Sequence, residues 1–139
     1  MKKRTLQFVA VFCVLAMLLS IPAMAAEQAS YYLTSYDSES VHVGDGEISI
    51  NFDVTATGIM DKVGATEIIV YENVLGNWAL YYSFDENDTD MISRDDYFHA
   101  GTVYCPGYEN GYFKVVTYIY AEDYSGGSDM RSLVDYVYT

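Results

Sequence analysis

The chain has 139 residues, a formal net charge of −13, two cysteines and fifteen tyrosines. All three charges in the first 25 residues are basic, so residues 26–139 set four basic side chains against all twenty acidic ones, a net of −16. Such a surface repels phosphate backbones and anionic headgroups, which argues against nucleic-acid binding and peripheral membrane binding. The length suits one domain, and an apolar fraction of 51% excludes general disorder.

The N-terminus reads as a leader. Lys2, Lys3 and Arg4 precede an apolar run from Phe8 to Leu19, Pro22 breaks any helix, and Ala23-Met24-Ala25 supplies small residues for cleavage. These are the three parts of a secretory signal peptide, so residues 1–25 are expected to be removed and 26–139 to form the secreted domain. The apolar run is shorter than the roughly 20 residues a spanning helix needs. Cys13 leaves with the leader, and Cys105 remains alone. No intramolecular disulfide can form, so the core must hold the fold, with Cys105 a small buried hydrophobe.

The domain then reads as short strands. Tyr31 to Val43 holds a broken first strand, and Val43-Gly44-Asp45-Gly46 turns the chain. From Glu47 to Thr57, Ile48, Ile50, Phe52, Val54 and Ala56 alternate with polar residues, the period of a half-buried strand. Gly58 to Gly64 is expected to be a connection between sheets. Glu67 to Val74 and Trp78 to Phe84 flank Leu75-Gly76-Asn77 as a hairpin, with Trp78 assigned to the core. Asp85 to Asp96 carries six acidic residues in twelve and reads as a loop. Tyr97 to Tyr104 is a further strand, followed by turns at Cys105-Pro106-Gly107 and Glu109-Asn110-Gly111. Tyr112 to Ala121 alternates again, with Phe113, Val115 and Ile119 inward, and a last strand runs from Met130 to Tyr138. Seven strands without helical periodicity predict a single all-β antiparallel sandwich. Its core is expected to unite Ile48, Ile50, Phe52, Val54, Val70, Phe113, Val115 and Ile119.

The run from Asp53 to Ala65, DVTATGIMDKVGA, resembles the central signature of a family of small secreted proteins of Gram-positive bacteria with no assigned function. Val116 to Ala121 and Gly126 to Arg131 resemble the same family. More distantly, the late hairpin is similar to the last strands of immunoglobulin-like and fibronectin type III domains. The resemblance implies the sandwich architecture; Phe113 stands where a corner tyrosine would, and no cysteine pair bridges the sheets.

Chemistry is sparse. His99 and Cys105, six residues apart on one strand, would be separated by about 20 Å, too far for a dyad. Two histidines and one cysteine make a weak zinc set. Asp85, Asn87, Asp88 and Asp90 offer hard oxygens to calcium, although Asp90 stands where an EF-hand needs glycine; the alternative is a solvated acidic loop. The tyrosines are the other feature. Strand alternation places Tyr112, Tyr118 and Tyr120 on an outer face, where Tyr71 and Tyr81, and also Tyr136 and Tyr138, would join them. These observations predict a non-enzymatic, monomeric, secreted or surface-associated module. It is expected to bind an extracellular protein or cell-envelope component through a tyrosine face centred on Tyr118 and Tyr120. A carbohydrate-binding module is the alternative, and no cofactor is expected beyond the calcium reading.

Overall fold

The computed structural model describes residues 31–139; the leader and its Cys13 lie outside the described residues. Eight strands account for the fold: β1 (Leu33–Gly44), β2 (Glu47–Met60), β3 (Lys62–Val74), β4 (Asn77–Asp85), β5 (Ile92–Ser93), β6 (Asp96–Cys105), β7 (Tyr112–Glu122) and β8 (Ser128–Tyr138). One sheet has the order β1-β2-β6 and the other β4-β3-β7-β8, with β5 attached to β3; every pairing is antiparallel. The two sheets pack together as a β-sandwich with no helix among the described residues.

The period-two segments form the two inner faces. In β2, Ile48, Ile50, Phe52, Val54 and Ala56 are all buried, and in β7 so are Phe113, Val115, Thr117, Ile119 and Ala121. Val70 completes the expected cluster from β3. Burying a side chain of this size stabilises the fold by roughly 1.5–3 kcal/mol. These side chains form one continuous core. Cys105 is fully buried within it.

The structure corrects four expectations. The chain does not pass between the sheets through a Gly58–Gly64 connection. β2 continues to Met60, β3 starts at Lys62, and the crossing is made at Asp61. The acidic segment is not all loop, because Met91 is fully buried and β5 pairs with Val63 and Gly64. Apolar Met91 and Ile92 override the polar composition around them. Trp78 is not core, and Tyr81 does not face outward. A bulge explains both: Val70 pairs with Tyr82 but Tyr71 pairs with Leu80, so Tyr81 is an extra residue. The extra residue inverts the parity of β4 midway. Tyr81 therefore turns in against Phe113, ring centres 5.1 Å apart, while Trp78 and Leu80 face out.

The segment that carries β5 is held by close backbone approaches. A Cβ on Gly64 would lie 2.2 Å from the Met91 carbonyl, and one on Gly101 would lie 2.1 Å from that of Asp90. His99 fixes the same segment, its Nε2 donating to the Asp90 carbonyl at 2.6 Å while Nδ1 meets the Ser93 hydroxyl at 2.8 Å. A carbonyl can only accept, so Nε2 carries a proton.

Candidate functional site

The outer face of the β4-β3-β7-β8 sheet is graded along the strands. Its middle row runs from Ser83 through Ile69 and Val116 to Val134. Towards the β3–β4 hairpin the face becomes aromatic: Tyr71, Tyr112, Tyr136, Tyr138 and Trp78 surround Lys114. Tyr112 and Tyr138 stack at 4.0 Å and 7°. Trp78 contacts Tyr112 at 5.3 Å and Tyr136 at 5.8 Å between ring centres. The Lys114 ammonium lies 4.5 Å from the Tyr71 ring centre and 5.2 Å from that of Trp78. Pairs of this kind each contribute about 0.5–1.5 kcal/mol beyond burial, so the cluster is preorganised by its own contacts. It stays accessible, with Tyr138 71% and Tyr136 51% exposed.

Tyr118 and Tyr120 share this face but not the cluster. Tyr118 lies between Glu67 and Ser132, and Tyr120 between Gly64 and Met130, both half-buried towards the opposite, polar end. The Tyr120 hydroxyl donates to Glu122; burial first, then that carboxylate, pushes its pKa above the usual tyrosine range. Burial and the Tyr138 hydroxyl raise Tyr112 similarly. Of the expected surface, then, Tyr71 and Tyr112 belong to the cluster, while Trp78 and Lys114 are members outside the expected tyrosine face. Lys114 had a signal: it shares the outer parity of Tyr112 on a strand whose other parity is apolar.

Charge is distributed to suit this face. Lys62 and Lys114, two of the chain's seven basic residues, lie on it, Lys62 pairing with Glu122 in register. The outer face of the other sheet is acidic: Asp37 stands directly opposite Asp53, and Glu39 opposite Asn51. A recess of about 300 Å³ there is lined by Asp37, Glu39 and Asp53 among others.

The residues considered for calcium are committed to their own turn. Asp88 accepts the Asp85 N–H at 2.8 Å, and Asp85 accepts the Asn87 N–H at 2.7 Å. Asp90 has φ 64°, and its carbonyl is the His99 acceptor. Among the described residues no group of three or more His, Cys, Asp or Glu is arranged to hold a metal ion. His99 and Cys105 occupy the single continuous strand β6. Burial pushes the Cys105 thiol up to about 12, so it carries little thiolate at neutral pH. His42 accepts the Gly46 N–H through Nε2 at 3.3 Å, a turn-holding role.

No protein-family profile, no curated protein and no solved structure matches the chain.

Proposed function

We propose that the protein is a secreted, non-catalytic interaction module that binds an extracellular protein or a cell-envelope component through the aromatic end of the β4-β3-β7-β8 sheet. The observation that carries this reading is the ring cluster around Lys114, preorganised on rigid strands in an otherwise strongly acidic chain. Aromatic side chains offer large contact area at low entropic cost, and surrounding negative charge steers a complementary partner. The hairpin tip beside Trp78 adds to the surface: Leu75 is 98% exposed in a left-handed conformation, φ 52°. The leader-like N-terminus and the resemblance to small secreted proteins support the location. The structural use of His99 and the raised Cys105 thiol support a role without catalysis.

Saccharide binding is a second reading, favoured by the outward position of Trp78. Against it, Lys114 lies over both Tyr71 and Trp78, and Tyr112 is stacked on Tyr138. A sugar would have to displace the lysine. Affinity capture from envelope extracts, run beside a glycan array, separates the readings. Capture of a protein without glycan binding is the expected result. Glycan binding lost in Trp78→Ala would favour the second reading, and an absence of both would sink the proposal.

A further inference from the structure

The outer edges of the two sheets differ. On one side β1 and β8 close against each other: the Tyr32 N–H donates to Asp129 at 2.8 Å and the Ser40 N–H to Asp135 at 2.6 Å. The Ser38 and Thr117 hydroxyls meet beside them at 3.0 Å. On the other side, the β5 segment covers part of β6 through the His99–Asp90 bond. β4 is different. It pairs with β3 along one edge and, among the described residues, with no strand along the other.

Edge strands are normally blunted by lysine, proline, inward charge, a β-bulge or a covering element. Of these, residues 77–84 of this nine-residue strand have only the bulge at Tyr81, and the only charge is Asp85 at its end. Leu80 is 69% exposed beside the unpaired backbone. A cleft of about 390 Å³ opens between this strand and β6, lined by Phe84, Val103 and Tyr104 together with Asp88, Thr89 and Asp90. Apolar walls with carboxylates match a long aliphatic stem ending in a cation.

We propose that β4 accepts an extended, basic segment of a partner protein as an added strand, with a lysine or arginine of that segment seated in this cleft. Main-chain hydrogen bonds supply affinity in such pairing, and pockets for alternate side chains supply specificity. Charge decides the occupant. A second copy of this chain would bring together two bodies of net charge −13 along a strand that offers no cation. A basic segment is attracted by the same field. This edge shares Trp78 with the aromatic cluster but uses the unpaired backbone of β4, so it stands without the function proposed above.

The test is an NMR titration of the purified protein with an alternating Lys–Val decapeptide, using Glu–Val and decalysine peptides as controls. The Lys–Val peptide is expected to shift the amides of 77–85 and slow their hydrogen exchange, on the order of tenfold at saturation. Its affinity should fall with added salt. Asp90→Asn should weaken binding about two- to fivefold. Leu80→Lys should abolish it while leaving the fold intact, and Tyr136→Ser/Tyr138→Ser should leave it unchanged. The proposal is overturned if Lys–Val and decalysine both spread shifts over the acidic loops without protecting β4. It is equally overturned if Glu–Val protects β4 as well as Lys–Val does. Concentration-dependent protection without peptide would instead assign the edge to a second copy.

Discussion

Leu75 and Gly101 show how single backbone positions shape this molecule. Leu75 and Gly76 both have positive φ, 52° and 87°, which is the two-residue hairpin geometry that asparagine–glycine fits best. A leucine there is strained, and its exposed side chain gains nothing from the core. Leu75→Asn should stabilise the domain by about 0.5–1 kcal/mol, measured by urea unfolding. If the same change weakens partner capture, the strain is retained for recognition. Gly101 is the opposite case. An added Cβ would meet the Asp90 carbonyl at 2.1 Å and the Phe52 ring at 2.5 Å, so backbone must move. Gly101→Ala should cost about 1–3 kcal/mol and loosen the β5 segment first. An unchanged urea midpoint would contradict that packing.

At the scale of elements, β2 and β7 were legible because one face of each is buried and the other wet, so chemistry alternates with geometry. β4 was only half legible. Its bulge is set by pairing with β3, a non-local contact that leaves no mark on local alternation, and Trp78 was misassigned for that reason. β5 was missed because two apolar residues, Met91 and Ile92, are outvoted by the carboxylates around them. The aromatic cluster was legible as tyrosine parity, but its centre was not. That centre depends on the register that brings Tyr138 over Tyr112 and Tyr136 beside Lys114. The acidic turn satisfies its own backbone donors with Asp85 and Asp88, so millimolar calcium should leave the melting temperature unchanged. A rise of several degrees would restore the calcium reading. The links between elements also predict a pH limit. Hydrogen bonds to Asp123, Glu72 and Asp95 raise Tyr32, Tyr108 and Tyr124 above the usual tyrosine range, and burial raises Tyr112 and Tyr120. In the unfolded chain these groups ionise near pH 10. Their stabilisation is therefore fully present below about pH 10 and lost as pH rises through the higher folded values. Melting temperature should hold between about pH 7 and 9 and fall above 10, less steeply in Tyr108→Phe. A curve flat through pH 11 would contradict these bonds.

Across the described domain, packing and the proposed recognition fall on different surfaces. The facing sides of the sheets hold the core, one outer face is acidic, and the other grades from charged residues to a ring cluster. Such a division lets the cluster be altered at the cost of its own ring contacts, about 0.5–1.5 kcal/mol each, without opening the core. The most direct measurement compares envelope capture by the wild-type protein with capture by Tyr112→Ser/Tyr136→Ser/Tyr138→Ser, both checked by thermal unfolding. The expected result is a folded variant that has lost the partner, whereas Tyr118→Ser/Tyr120→Ser, at the other end of the face, keeps most of it. A folded triple variant that captures the same partner undiminished would contradict it.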